Sequence, residues 1–137
     1  MALLVAIVGA TYDLFTGKIP NWLTIGSTII GLLLGAWQGT FLNNILGLFI
    51  GILIYWPFFA LGYMGGGDVK LMGAIGCFVG VEETILTMVL ASLWGGIIAL
   101  VALVKRKKHI RYGLAIGLGF LTLQVLQWLN LPLPYLY

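Results

Sequence analysis

Apolar residues fill most of this chain in long runs, and glycine, proline and charged residues interrupt the runs at only a few places. A helix needs roughly 20 apolar residues to cross the hydrocarbon core of a bilayer, and the interruptions divide the chain into six segments near that length. The predicted helices comprise residues 1–15, 21–37, 41–61, 68–81, 84–104 and 112–129. We therefore expect an all-α integral membrane protein with six transmembrane helices, of which the first and the fourth are short.

The composition agrees with lipid as the surrounding solvent. Of the 137 residues, 61% are hydrophobic and 8% are charged, whereas about 25% are charged in an ordinary globular domain. The mean hydropathy is +1.11, and a chain of this length predicts one polytopic domain over residues 1–137. Cys77 is the single cysteine and His109 the single histidine, which excludes a disulfide framework and a Cys/His metal cage. We expect no metal and no other cofactor.

The basic residues indicate the orientation of the predicted helices. All seven lie in, or at the margins of, the loops after helices 1, 3 and 5, which share one face of the membrane: Lys18, Lys70, Lys105, Arg106, Lys107, Lys108 and Arg111. The positive-inside rule places that face in the cytoplasm and both termini outside it. We expect a multi-pass protein of the cytoplasmic membrane, with Lys105 to Lys108 in contact with anionic lipid. Nucleic acid is not an expected partner.

In this topology, Asp13 and Asp68 are the two carboxylates that lie within the membrane, where an ionised side chain costs free energy. Both fall just inside the cytoplasmic leaflet at similar depth, although 55 positions separate them along the chain. An ionisable residue in a membrane segment is by default a functional candidate that faces protein or water. If the two carboxyl groups meet, their repulsion favours a pair that holds one proton. One group then takes a proton from water while the other polarises a substrate carbonyl, which is peptide hydrolysis without a covalent intermediate.

A structural interpretation of the carboxylates stays open. Asp68 stands at the start of its predicted helix and is suited to be its N-cap, and Asp13 lies within reach of Lys18. Glu82 and Glu83 open the fifth predicted helix, where the helix dipole favours negative charge. We assign no catalytic role to these two glutamates.

A run of glycines directly precedes Asp68. Gly65, Gly66 and Gly67 belong to a segment too rich in glycine for a stable helix. Because no side chain intervenes there, an extended substrate backbone can lie against the carboxylate. The three glycines are therefore candidates for binding substrate or shaping the site.

Three further residues are candidates for shaping the site. Pro20 and Asn21 open the second helix, where proline restricts the turn and Asn21 is suited to cap. Lys70 follows Asp68 by two positions, so its side chain leaves the helix on a different face. We expect Lys70 to anchor the helix at the membrane surface, with an influence on the aspartates as the alternative.

Other hydrolytic mechanisms do not fit this set of side chains. A serine nucleophile needs a base, but the single histidine lies in a basic loop; a zinc protease needs the HExxH motif or an equivalent. Cys77 lies in mid-helix among apolar residues, where packing is the expected role. Two other classes stay open: a small proton-coupled carrier or channel that relays protons through buried carboxylates, and a structural membrane subunit whose aspartates cap helices.

Two motifs carry a resemblance to a known family. The segment DLFTGKIPN, residues 13–21, is followed two helices later by GGGDVKL, residues 65–71, and this pair resembles the GxGD-type type IV prepilin peptidases from helix 1 through helix 6. The resemblance implies a six-helix membrane aspartic peptidase whose catalytic residues map onto Asp13 and Asp68. It also implies that the substrates are type IV prepilins or pseudopilins, whose short basic leader is cut after a glycine at the cytoplasmic boundary of the membrane.

Two departures from the family pattern narrow these expectations. Larger relatives carry a cysteine-rich cytoplasmic insert between the first helices and also N-methylate the new terminus, but residues 16–21 leave no room for an insert. The chain therefore looks like the small, peptidase-only branch found in tight-adherence pilus systems, and we expect no methyltransferase activity. Arg111-Tyr112-Gly113 stands where small relatives often have Pro-Tyr-Gly. Helix 1 begins late for the family, which leaves a start upstream of Met1 open.

Overall fold

Every regular element that the computed structural model describes, over residues 1–104 and 112–129, is an α-helix. The helices are α1 (Ala2–Thr16), α2 (Asn21–Gln38), α3 (Phe41–Ala60), α4 (Gly66–Val104) and α5 (Tyr112–Trp128). The expected all-helical class is confirmed for these residues. The expectations for Lys105 to Lys108, His109 and Arg111 fall on residues 105–111, which lie outside the described part of the chain.

Two of the predicted helices are joined in α4. Helical structure continues from Gly66 to Val104 and is interrupted only at Gly80, where φ is 80° and ψ is −170°. A side chain at that φ would be strained, so glycine suits the break. The predicted helix ends at residues 81 and 84 were therefore wrong by a few residues, because a single glycine replaces the expected loop. Glu82 and Glu83 are both helical.

The break at Gly80 separates an N-terminal arm of α4, residues 66–79, from a C-terminal arm, residues 81–104. The C-terminal arm turns back toward the start of α4. This direction is evident from Met64, just before α4, and Gly95, in the C-terminal arm, which line the same cavity. Hydrogen bonds hold the turn on both sides. The Val81 N–H donates to Asn43 Oδ1 at 3.2 Å, and the Thr84 hydroxyl donates to the Gly80 carbonyl.

The N-terminal arm of α4 is the centre of the bundle. Residues 71–77 are all buried, and α4 contacts each of the other four helices. The crossing with α3 is close because glycines face it: a Cβ built on Gly51 would lie 2.9 Å from the Met72 carbonyl oxygen and 3.0 Å from Gly73 Cα. Small residues at helix crossings allow the backbone contact that stabilises helix pairs in lipid.

Large apolar side chains cover much of the outer surface. Phe15, Trp37 and Trp128 are each more than 80% exposed, and apolar exposure on this scale is typical of a surface that meets lipid or a partner. By length and composition, two helical stretches among the described residues can cross a membrane, Phe41–Ala60 and Gly66–Ala102, and α1 and α5 are shorter apolar helices. These features suit a membrane protein; six crossings remain a prediction.

Candidate active site

The tertiary structure brings Asp13 and Asp68 to one cavity. The cavity measures about 250 Å³ and lies between the end of α1 and the start of α4. Its lining consists of Asp13, Gly17, Lys18, Ile19, Gly65, Gly66, Gly67 and Asp68. Each of the two aspartates is 6% exposed, and their carboxyl groups are close enough to interact electrostatically. The cavity therefore joins two buried carboxyl groups to a small open space beside glycine backbone.

Asp13 lies in the last turn of α1 and faces the first turn of α5. The Leu114 N–H donates to Asp13 Oδ2 at 3.3 Å. Gly113 leaves the space that the carboxyl group occupies, since a Cβ there would lie 2.8 Å from Asp13 Cβ and 2.9 Å from Oδ2. The first N–H groups of a helix have no partner within the helix and are suited to hold an anionic group. The start of α5 thus contributes to the orientation of the Asp13 carboxyl group.

The end of α1 turns sharply after Asp13. Gly17 has a φ of 66°, in the left-handed region, and its N–H donates to the Asp13 carbonyl oxygen at 2.9 Å. This αL cap is the usual way for a helix to end on glycine. The turn directs Lys18 and Ile19 back along the cavity that Asp13 lines.

Asp68 is held by the glycine run that precedes it. Its Oδ2 accepts a hydrogen bond from the Gly65 N–H at 3.1 Å, and the Asp68 N–H donates to the Gly65 carbonyl oxygen, also at 3.1 Å. This reciprocal pair resembles a capping box, in which the third residue of a helix binds back to the residue before the helix. The predicted helix start at Asp68, with Asp68 as N-cap, was wrong by two residues because α4 already begins at Gly66. The side chain still caps, from inside the helix.

Each residue of the glycine run meets a different neighbour. A Cβ on Gly65 would lie 3.3 Å from Asp68 Oδ2, one on Gly66 would lie 3.2 Å from the Phe59 ring, and one on Gly67 would lie 3.1 Å from Ile19 Cβ. All three distances are shorter than ordinary carbon contacts. The run therefore lets the start of α4 approach α3 and the α1–α2 turn at the same time.

Pro20, Asn21 and Lys70 lie beside the cavity and are absent from its lining. Pro20 is the residue before α2, and Asn21 is the first helical residue. Asn21 does not cap α2 as predicted; its Oδ1 instead accepts a hydrogen bond from Lys70 Nζ at 3.0 Å. Both side chains of this pair are exposed, and the bond ties the start of α2 to the start of α4.

Sequence reasoning missed the contribution of α5. Gly113 and Leu114 touch the Asp13 carboxyl group from about 100 positions away along the chain, and the Asp68 carboxyl group also interacts with the Gly113 backbone. The only sequence feature that pointed to the start of α5 was the tripeptide at residues 111–113, and the sequence predicted no role for it. Among the described residues, no group of three or more His, Cys, Asp or Glu side chains is arranged to hold a metal ion.

Comparison with known protein families gives a match over most of the chain. A model of the type IV leader peptidase family matches residues 1–100 of the chain. The matched range includes both aspartates and the glycine run, and it ends before α5. No curated protein and no solved structure gives a significant match.

Proposed function

This chain belongs to the type IV leader peptidase family, and on that premise we propose that it is an aspartic endopeptidase of the membrane whose catalytic pair is Asp13 and Asp68. The substrates are prepilins or pseudopilins, and the cleaved bond lies between a basic leader and an apolar membrane segment. The family supports a peptidase of prepilin-like leaders in general. The identity of the catalytic pair and the place of cleavage are our proposals.

One observation carries the proposal more than any other: the two aspartates, from distant parts of the chain, line a single small cavity. A carrier that relays protons also uses buried carboxylates, but a carrier has no evident use for a glycine-lined cleft beside them. A purely structural role leaves the pairing unexplained. Asp68 caps α4 through Oδ2, yet that local role does not require a second carboxyl group from α1.

The chemistry follows from two carboxyl groups that share one proton. The ionised group accepts a proton from a water molecule, whose oxygen forms a bond to the carbonyl carbon of the substrate. The protonated group donates a hydrogen bond to the carbonyl oxygen and stabilises the charge that develops there. The carbon–nitrogen bond then breaks as the leaving amine receives a proton from the pair. Because the two groups titrate together, we assign the steps to the pair.

The placement of charge supports a cytoplasmic site. Lys18 lines the cavity and Lys70 lies beside it, while residues 105–111, which carry the remaining basic residues, connect the end of α4 to the start of α5. The positive-inside rule assigns such a basic end to the cytoplasm. We therefore propose six membrane crossings in the cytoplasmic membrane, with the cavity at the cytoplasmic boundary. Anionic lipid around Lys105 to Lys108 is part of the same proposal.

The test is cleavage of a prepilin-like substrate by the purified protein in lipid nanodiscs. Asp13→Asn and Asp68→Asn remove one carboxyl group each with little change in shape. Glu82→Gln and Glu83→Gln make the same chemical change at the break in α4, away from the cavity, and serve as matched controls.

We expect both asparagine variants to lose cleavage by at least about a thousandfold, since each removes half of a general acid–base pair. The glutamine variants should cleave at the rate of the wild type. Normal cleavage by either asparagine variant, or no cleavage by the wild-type protein on any prepilin-like substrate, would contradict the proposed function.

A further inference from the structure

A second cavity lies beside the aspartate cavity and has a different character. It measures about 230 Å³ and is lined by α3, the segment before α4, the C-terminal arm of α4 and the start of α5. Aromatic side chains form much of its wall, among them Tyr55, Phe58 and Tyr112. Gly95 and Gly96 leave the space open on the side of the C-terminal arm. We call this space the apolar cavity.

At two places in the chain, one residue faces the apolar cavity and the next residue faces the aspartate site. Met64 lines the apolar cavity, and Gly65, the next residue, lines the aspartate cavity. Likewise, Tyr112 lines the apolar cavity while Gly113 lies against Asp13. The two cavities are therefore separated by little more than one layer of backbone. A peptide bound at the aspartates would have its neighbouring residues within reach of the apolar cavity.

The wall between the cavities also carries an electrostatic link. Tyr55 is buried, with 7% of its surface exposed, and its side chain is near enough to interact with the Ser92 hydroxyl and with the Asp68 carboxyl group. The Ser92 hydroxyl donates to the Met88 carbonyl within its own helix at 2.8 Å, which leaves the Ser92 oxygen as an acceptor. Apart from Ser92 and the tyrosine hydroxyls, the side chains that line the cavity are apolar, so the open space offers mainly apolar contact.

The apolar cavity opens toward the outside of the bundle. Phe58 is 50% exposed, and Ser92 and Gly96 are exposed as well. In a membrane-spanning bundle such an opening faces lipid, so an apolar chain segment can enter sideways while a polar leader stays at the aqueous end. The volume suits one large side chain and is too small for a helix.

We propose that the apolar cavity binds a large apolar side chain of the substrate, from the first residues of the membrane segment that follows the cleaved bond. The inference rests on the proposed peptidase activity and adds to it a determinant of specificity. Burial of the side chain in the apolar cavity places the preceding peptide bond against the two aspartates. Gly95, Gly96 and Phe58 then set the size of the side chain that fits.

Filling the cavity tests the proposal without disturbing the core. A Cβ built on Gly96 meets no atom within 4 Å, so Gly96→Leu places a side chain in the open space. Gly26 in α2 also has no neighbour within 4 Å and lines neither cavity, which makes Gly26→Leu the matched control. Phe58→Ala is a second variant, which widens the cavity at a half-exposed position.

The test uses a prepilin-like substrate and four variants of it. In each variant, one of the first four residues after the cleaved bond is changed to alanine, and kcat/KM is compared with that of the parent substrate. The wild-type enzyme should show a preference of at least tenfold in kcat/KM for a large apolar side chain at one of these positions, the size of effect that an apolar pocket gives. In Gly96→Leu that preference should fall by about tenfold, because kcat/KM drops for the large side chain and not for alanine. Phe58→Ala should also reduce it, and Gly26→Leu should keep it.

The outcomes separate this inference from the proposed function. If the wild type cleaves, the asparagine variants do not, and Gly96→Leu keeps the full preference, the apolar cavity does not bind the substrate side chain and the peptidase proposal stands. Equal slowing of all substrates by Gly96→Leu would also overturn the inference, since it would point to a lipid chain or a structural effect. Cleavage by the asparagine variants would instead contradict the proposed function itself.

Discussion

Gly113 of α5 lies directly against Asp13 of α1, with no room for a side chain between them. A methyl group at Gly113 would come within 2.8 Å of Asp13 Cβ and 2.9 Å of Asp13 Oδ2. The contact makes the start of α5 a third part of the candidate site, alongside the end of α1 and the start of α4.

Gly113→Ala should reduce kcat by up to about 100-fold, because the added methyl group must displace the Asp13 carboxyl group and small displacements of reacting groups are costly. Gly117→Ala is the matched control. One turn further along α5, its methyl group would meet Ala10 Cβ at 2.6 Å, so it disturbs the same helix pair away from the carboxyl group. Cleavage rates and thermal stability of both variants are measured in nanodiscs. An equal loss of kcat in both would contradict a specific role for Gly113.

Leu114→Pro should lower kcat by roughly 10- to 100-fold, because proline removes the N–H that donates to Asp13 Oδ2 and such bonds contribute about 1.5–3 kcal/mol. Proline is tolerated in the first turn of a helix, and the preceding glycine has no Cβ to oppose it. Leu114→Ala keeps the N–H and should cleave normally. Comparable kcat values for the two variants would show that the hydrogen bond has no part in catalysis.

Asp68→Asn and Asp68→Ala should both be inactive but should differ in stability. Asparagine keeps an oxygen that can accept the Gly65 N–H, whereas alanine leaves that donor without its partner, at a cost of about 1–2 kcal/mol. Thermal unfolding in detergent measures the difference. If the two variants unfold at the same temperature, the capping contact contributes nothing; if asparagine retains cleavage, the chemistry does not depend on the carboxyl group.

Lys70→Met should leave kcat within about threefold of the wild type, as expected for an exposed side chain outside the cavity lining. Its hydrogen bond to Asn21 Oδ1 is exposed, so its loss should cost less than about 1.5 kcal/mol of stability. Asn21→Ala should have the same small effect, and the double variant should add little more. A tenfold rise in KM for Lys70→Met alone would instead place Lys70 in contact with substrate.

Gly51→Ala should destabilise the protein by about 1–3 kcal/mol, since its methyl group would meet the Met72 carbonyl and Gly73 Cα and backbone cannot rotate away. Gly26→Ala, with open space around it, should instead be neutral or stabilising by about 0.5–1 kcal/mol, the usual gain from glycine to alanine inside a helix. Equilibrium unfolding of both variants in the same detergent gives the comparison. Equal stability of the two would contradict the close α3–α4 crossing.

Helix positions were readable from the sequence because they depend on local chemistry. The starts at Asn21, Phe41 and Tyr112 agree with the predicted bounds, since proline, glycine and charge interrupt apolar runs wherever they occur. The start of α4 was placed two residues late, because three consecutive glycines argue against helix and the reciprocal hydrogen bonds with Asp68 outweigh that preference. The break between the fourth and fifth predicted helices was placed a few residues beyond Gly80, because one glycine among many carries no mark of its backbone angles.

The sequence also identified the residues that are chemically distinctive. With four carboxylates in the whole chain, Asp13 and Asp68 stood out by their position in apolar segments, and two motifs pointed to the leader peptidase family that the chain belongs to. Tertiary structure alone decided what surrounds them: that Asp13 is held by Leu114 and Gly113, that Lys70 pairs with Asn21 beside the cavity, and that an apolar cavity adjoins the aspartates. Such contacts join residues far apart along the chain, and they depend on how helices pack against one another, which no local pattern of residues records.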